Sequence, residues 1–207
     1  MDLIVCVKQV PDPEAPPASF KVDAAANKVV PPPGGPPVIS TFDETAVEAA
    51  LKIKDAKGGK ITVISLGNSL VRDVVKKPLA MGADQLILLE DPAYDNSDSW
   101  STAYALSMAI KKVGNFDIIF CGRQAADWDA GQVGLGIAEF LGIPSVTLAK
   151  KVESVDGKVR VERIVPDGFE VIESPTPCLI TVTNELGEPR YAPLKGIMKA
   201  AKIQPVV

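Results

Sequence analysis

The side chains best suited to chemistry lie in one segment, residues 122–134, which reads GRQAADWDAGQVG. Small residues here let a ligand approach the backbone, and Arg123 supplies a positive charge. An apolar run that predicts a buried strand precedes the segment, and an apolar run that predicts a helix follows it. The free N–H groups and positive dipole at a helix start suit a phosphate group. The segment therefore predicts a phosphate-binding loop, although it matches neither the GxGxxG nor the P-loop pattern and its glycines also fit an ordinary turn.

The paired acids Asp127 and Asp129 in this loop raise the question of a magnesium site. Carboxylates are suitable Mg²⁺ ligands, but no third carboxylate or suitable hydroxyl lies nearby in the sequence. We therefore favour a solvated loop or a helix cap as their role, and we predict no metal.

The absence of histidine excludes much of enzyme chemistry. Ser-His-Asp and Cys-His catalysis, imidazole acid–base chemistry and histidine-containing zinc or haem sites are all ruled out. The three cysteines, Cys6, Cys121 and Cys178, form no CxxC pair and each sits in an apolar run, so we expect them to be buried packing residues. We predict no catalytic residue in this chain.

The overall composition limits the class of protein and of partner. The 207 residues have room for one large domain. A net charge of −4 gives no basic excess to attract nucleic acid or an anionic membrane. The odd number of cysteines, with no N-terminal signal segment and no apolar stretch of about 18 residues, predicts a cytoplasmic setting without membrane insertion.

The elements that must position the loop alternate between short β-rich runs and helical patterns, which is typical of a parallel sheet with crossover helices. Strands are predicted at residues 3–7, 60–66, 85–90 and 116–121. The Thr41–Glu44 capping-box spacing predicts the first helix start. Asn68 is expected to cap a helix to Met81, which Pro78 should kink or restart. Further helices are expected from Asp98 or Ser99 to about Lys112, and after the loop up to Gly142.

The rest of the chain does not show this alternation of strands and helices. Residues 11–37 hold nine of the eighteen prolines and predict a surface excursion with a small hairpin, 20–22 with 28–30. After Pro144 an antiparallel extension is expected, with a hairpin of 150–155 and 158–166 and further strands at 169–173 and 178–183. Residues 191–202 form a basic surface loop and short helix. We thus predict an α/β domain, a mostly parallel doubly wound sheet with an antiparallel β extension, over residues 1–183, and a surface segment over 184–207.

These motifs together resemble the β subunit of electron transfer flavoproteins. Residues 122–132 match the family's G-(K/R)-Q-A-x-D-x-D-x-x-Q hallmark. Residues 5–12 (VCVKQVPD), 42–50 (FDETAVEAA) and 79–84 (LAMGAD) resemble other family motifs, as do 161–170, 177–179 and 188–199 (EPRYAPLKGIMK). Gly187, where the family usually has N-E-P-R-Y, and Pro78 are departures. The resemblance covers essentially the whole chain.

The resemblance implies a fold like that of adenine-nucleotide α-hydrolases and a chain that binds a nucleotide while an α subunit carries the redox FAD. It implies an electron carrier rather than a classical enzyme. The residues that it places around the nucleotide are Cys6, Ser40, Thr41, Phe42, Asp43, Leu66, Gly122, Arg123, Gln124, Ala125, Ala126, Asp127, Trp128, Asp129, Ala130, Gly131, Gln132 and Val133.

Conventional family members bind AMP in this subunit, whereas electron-bifurcating members bind a second FAD. Arg123, the Gln132-Val133-Gly134 ending and the stretch at Ser99 and Thr102 resemble the bifurcating group. We therefore expect FAD, with AMP as the alternative, and FAD would imply access for NADH. A helix cap would equally account for Ser99.

The resemblance also implies a partner-recognition segment at residues 191–199, with Tyr191, Leu194 and Lys199, for acyl-CoA dehydrogenase-type or other flavoproteins. Packing of Leu194 under its own loop is the alternative. The chain ends without a capping signal, so we expect a C-terminal arm that is truncated. Two rival classes are a non-redox adenine-nucleotide-binding module and an α-hydrolase-type enzyme, but the latter needs a pyrophosphate loop that residues 7–12 do not supply.

Overall fold

The computed structural model describes residues 1–25, 28–30, 32 and 34–207. Four residues of the predicted proline-rich excursion, 26, 27, 31 and 33, lie outside the described residues. In chain order, the strands are β1 (Asp2–Val7), β2 (Gln9–Val10), β3 (Lys21–Asp23), β4 (Lys28–Val30), β5 (Val38–Ile39), β6 (Lys60–Gly67), β7 (Gln85–Glu90), β8 (Ile118–Gly122), β9 (Ser145–Val155), β10 (Lys158–Val165), β11 (Gly168–Pro175) and β12 (Cys178–Val182). The α-helices are α1 (Thr41–Lys57), α2 (Arg72–Val75), α3 (Lys77–Met81), α4 (Ser99–Val113), α5 (Val133–Leu141) and α6 (Leu194–Lys202).

An eight-stranded sheet in the order β11-β10-β9-β12-β8-β1-β6-β7 forms the centre of the fold. Neighbours from β7 across to β9 are parallel, and β9, β10 and β11 are antiparallel. One buried cluster joins the sheet to α1 and α3, for example through Val47 and Leu79. A second joins it to α4 and α5 through Ala103 and Ile137. Helices cover both faces of the parallel part of the sheet, whose central strands β1, β8 and β12 are accordingly nearly all apolar, and the predicted α/β class is confirmed.

The position of β12 corrects the sequence analysis. Residues 178–183 were expected in the antiparallel extension, but β12 runs parallel between β8 and β9. The first half of β9 pairs with β12, and its second half pairs with β10 in the opposite direction. Every residue of β12 is buried, as a central strand requires. An apolar run carries no information on strand direction, so the pattern alone did not separate the two arrangements.

One predicted helix start is confirmed and another is wrong. Helix α1 begins at Thr41 as predicted, but its N-cap is Ser40 without a side-chain cap hydrogen bond, so the expected capping box of Thr41 and Glu44 does not form. The predicted helix from Asn68 begins only after Val71 and is split into α2 and α3. Pro78 lies in the first turn of α3, where its missing N–H costs no helical hydrogen bond, so the predicted restart is confirmed.

Other local predictions are confirmed. Asp98 is the N-cap of α4, and its side chain accepts a hydrogen bond from Ser101 N, which leaves Ser99 as the first helical residue. Strand β3 pairs with β4 in the small antiparallel hairpin. Among the described residues, no helix is both long and apolar enough to cross a lipid bilayer.

Candidate functional site

The strand order creates a crevice at one edge of the sheet. From β1 the chain proceeds to β6 and β7 on one side and then returns to β8 on the other side of β1. Parallel α/β sheets bind ligands outside the carboxyl ends of their strands, at the point where the order reverses. Here that point lies between β1 and β8, and residues 122–134 follow β8 directly.

Asp43, in the first turn of α1, connects these two strands. Its carboxylate accepts hydrogen bonds from Lys8 N at 2.8 Å and from Gly122 N at 3.1 Å. A Cβ on Gly122 would lie 2.6 Å from Asp43 Oδ1, so glycine is required there. Burial raises the pKa of Asp43 to about 7, against the opposing effects of the two N–H groups and the charge of Lys8. Asp43 therefore joins the carboxyl ends of β1 and β8 through two buried hydrogen bonds.

The side chains of the loop mainly hold the loop itself in shape. Lys8 Nζ donates to both carboxylate oxygens of Asp127, at 2.8 and 2.7 Å. Gln124 Nε2 donates to Asp129 Oδ1 at 2.7 Å, and Asp129 has a positive φ of 53°. The hydroxyl of buried Ser40 accepts a hydrogen bond from Ala126 N at 3.2 Å. The two acids thus fix the loop conformation through partners within the protein.

Arg123 and the start of α5 are the candidate anion-binding groups of the crevice. The guanidinium carbon of Arg123 lies 5.2 Å from the centre of the Phe42 ring, and its Nε is buried without a hydrogen-bond partner among the described residues. The first helical hydrogen bond of α5 runs from Gly136 N to Gln132 O at 2.9 Å. The N–H groups of the three preceding helical residues are therefore left for other acceptors. A buried donor without a partner and free N–H groups, both on the loop after β8 and the helix that it leads to, fit the phosphate of a nucleotide.

Helices α4 and α5 make a close contact at Ala103 and Gly136. A Cβ on Gly136 would be 2.8 Å from Ala103 Cβ, and both residues are within the first five of their helices. Ser99 and Thr102 lie in the first turn of α4 and are partly exposed. The first turn of α4 also contacts the far end of α5, since the ring centre of Trp100 lies 4.7 Å from that of Phe140.

Cys6 and Leu66 belong to the buried cluster on the α4–α5 face, at the ends of β1 and β6. Cys6 lies beside Cys121, and their hydrogen bond together with burial raises the pKa of the Cys121 thiol well above its usual range. Cys178 is also buried, so the prediction that all three cysteines are packing residues is confirmed. Cys6 and Leu66 are therefore candidates for an apolar wall of the crevice.

Other predicted site residues lie further out. Trp128, on the loop, is 79% exposed. Tyr191, Leu194 and Lys199 lie on and before α6, which packs against α3 on the opposite face of the sheet from α4 and α5. Leu194 is 74% exposed, so the alternative that it packs under its own loop is wrong.

Sequence reasoning assigned no role to Lys8, Glu48 or Arg190. Lys8 directly follows β1, and its position at the carboxyl end of a central strand could have identified it as a site residue from the sequence. Glu48 and Arg190 form an ion pair at 2.8 Å between two of the motifs quoted above. Nothing in the spacing of those motifs indicated the contact.

Comparison with known proteins gives one consistent family. Residues 34–207 match the electron transfer flavoprotein domain model. The chain is 44% identical to an electron transfer flavoprotein subunit beta of Thermoanaerobacterium thermosaccharolyticum, over 97% of this chain and 75% of that protein. It is 44% identical to the subunit beta of Megasphaera elsdenii, over 98% and 76%. It is also 40% identical to the caffeyl-CoA reductase-Etf complex subunit CarD of Acetobacterium woodii, over 100% and 77%.

Proposed function

The chain belongs to the electron transfer flavoprotein family, among its β subunits, and we propose that it binds an adenine nucleotide in the crevice between β1 and β8. In this proposal it works as a heterodimer with an α subunit that carries FAD. The pair accepts electrons from a flavoprotein dehydrogenase and delivers them to an acceptor. The observation that carries the proposal is the buried Nε of Arg123, which has no hydrogen-bond partner among the described residues and belongs to the loop that leads to the free N–H groups of α5.

Each part of the crevice has a role in this proposal. Arg123 and the N–H groups of residues 131–135 bind phosphate, and Phe42 holds the guanidinium by stacking. Cys6 and Leu66 contact the base or ribose. Asp43 and Lys8 keep the loop at the correct distance from β1. The remaining loop residues, with Ser40 and Thr41, complete the walls.

We propose FAD rather than AMP as the nucleotide. The resemblance of Arg123, of Gln132-Val133-Gly134 and of the stretch at Ser99 and Thr102 to the electron-bifurcating group supports this choice. The similarity to a subunit of a caffeyl-CoA reductase-Etf complex supports it as well. FAD supplies hydride and single-electron chemistry when bound, and this chain positions it and shields it from water. NADH would then reach the crevice past Trp128, and the complex would divide electrons between two acceptors.

Cofactor content tests this proposal directly. The heterodimer is purified after co-expression with its α subunit, denatured, and its released nucleotides are separated and quantified. We expect two FAD and no AMP per heterodimer. One FAD and one AMP would make the protein a conventional electron carrier, and a single FAD with no nucleotide in this chain would refute the binding site. Failure of the two chains to co-elute in size-exclusion chromatography would refute the heterodimer.

We further propose that residues 191–199 recognise the dehydrogenase. Leu194 projects into solvent between Pro193 and Lys195, and Met198 nearby is also exposed. An exposed apolar anchor can enter a pocket on a partner while neighbouring lysines steer the approach. An acyl-CoA dehydrogenase-type flavoprotein is the proposed donor. Equal rates of electron transfer to the wild-type and Leu194→Ala heterodimers would reject this role.

A further inference from the structure

Arg190 connects the exposed segment 191–199 to the body of the protein. Its Nε and NH2 donate to the two carboxylate oxygens of Glu48 at 2.8 and 3.0 Å, and its backbone N donates to Glu48 at 3.1 Å. The NH2 group also donates to Asp55 at 2.8 Å. The Glu48 side chain is only 6% exposed, in the middle of α1. Two parallel bonds between a guanidinium and a carboxylate fix direction as well as distance.

The far end of the same segment is also held. Gly196 lies so close to α3 that an added Cβ would overlap the carbonyl of Ala80. Lys76 Nζ donates to Ala201 O at 3.2 Å, and Ala200 is buried. The chain between the two attachments, residues 191–195, crosses from α1 to α3 with Tyr191 and Leu194 exposed.

We propose that Glu48 and Arg190 are positioning residues for partner recognition, which fix the angle at which Leu194 is presented to the electron-donating flavoprotein. This inference rests on the proposed recognition role of residues 191–199. An apolar anchor on a fixed support binds without losing its own conformational freedom, whereas an anchor on a loose segment must be ordered at a cost in affinity. The fork of Arg190 supplies that order on the N-terminal side of the anchor.

The pair lies apart from the nucleotide crevice, so its two effects can be measured separately. Among the described residues, the hydrogen bonds of the two side chains join Glu48, Arg190 and Asp55, and none of these residues belongs to 122–134. Loss of the pair should therefore change recognition and leave nucleotide content unchanged.

The test uses the heterodimer as electron acceptor for a short-chain acyl-CoA dehydrogenase reduced by its acyl-CoA substrate. Glu48→Gln keeps the size of the side chain, and Arg190→Lys keeps the charge but loses the fork. We expect each to raise the KM for the heterodimer roughly tenfold with kcat and nucleotide content unchanged. The matched control is Asp55→Asn, because Asp55 is 60% exposed and makes only the outer contact, so its KM should stay within about twofold.

A double-mutant cycle with Leu194→Ala separates this inference from the function on which it rests. If Arg190 acts through Leu194, Arg190→Lys should add little to the KM of Leu194→Ala. A raised KM for Leu194→Ala with a wild-type KM for Glu48→Gln and Arg190→Lys would overturn the positioning role alone. Additive effects in the cycle, or a fall in kcat and nucleotide content instead of a rise in KM, would also overturn it. A wild-type KM for Leu194→Ala, or no transfer to the wild-type heterodimer, would overturn the recognition proposal itself.

Discussion

Replacing Asp43 by asparagine should change how the stability of the protein depends on pH. Asp43 is 7% exposed, and burial raises its pKa from 3.8 to about 7. Since the folded-state pKa of Asp43 lies above its unfolded-state pKa, folding takes up a proton at pH values between the two. The contribution of this proton to the free energy of unfolding is complete below the unfolded-state pKa and is lost as the pH rises through 7. The interval of about three pH units corresponds to roughly 4 kcal/mol.

Asparagine has nearly the same shape but does not titrate. Its single acceptor oxygen serves only one of the two N–H groups, from Lys8 and Gly122, that Asp43 accepts. The other buried N–H then faces an amide NH₂, at a cost of about 1–3 kcal/mol that does not depend on pH. We therefore expect the advantage of the wild type over Asp43→Asn to be larger at pH 4.5 than at pH 8, by roughly 3 kcal/mol.

The assay is urea denaturation of the nucleotide-free chain at a series of pH values, because a bound ligand adds its own free energy. Far-UV circular dichroism is the appropriate signal, since Trp100 and Trp128 are 68% and 79% exposed and report weakly on unfolding. Carboxylates with lowered pKa values, such as Glu90 and Asp98, are present in both proteins and cancel in the difference. Asp156→Asn, in an exposed turn, is the matched control and should give a flat difference. An advantage of the wild type over Asp43→Asn that is constant, or that grows with pH, would refute the reasoning.

Two further predictions concern the loop. Gly131→Val should reduce co-purified nucleotide well below half, because Gly131 has a φ of +65° and lies in the loop proposed to bind the phosphates. Gly157→Val, at a φ of +78° in open space, carries similar backbone strain away from that loop and should keep full occupancy. Full occupancy in both variants would place the site elsewhere. Arg123→Gln should weaken nucleotide binding roughly 10- to 100-fold by calorimetry, the effect of losing one charge-assisted hydrogen bond, and wild-type affinity would exclude Arg123 from phosphate binding.

The sequence by itself determined the features that depend on local pattern. The apolar runs predicted the central strands, because strands covered on both faces carry few polar residues. The order of strands and helices predicted a parallel sheet with its ligand at the carboxyl ends. The glycines and Arg123 of residues 122–134 marked the loop, and the polar neighbours of Leu194 indicated an exposed position. Each of these inferences needs only neighbours a few residues away.

The tertiary structure decided which distant residues meet. Glu48 and Arg190 are 142 positions apart, Asp43 and Gly122 are 79 apart, and Lys8 and Asp127 are 119 apart. It also decided that β12 runs parallel inside the sheet and that the hydroxyl of Ser40 bonds to the loop instead of capping α1. Local sequence patterns predict neither the direction of a strand nor the partner of a charged side chain. Both depend on contacts between residues that are distant in the sequence, and these form only when the chain between them folds. The crevice itself is a product of that closure, since the residues proposed to line it, in 6–8, 40–43, 66 and 122–135, come from separate parts of the chain.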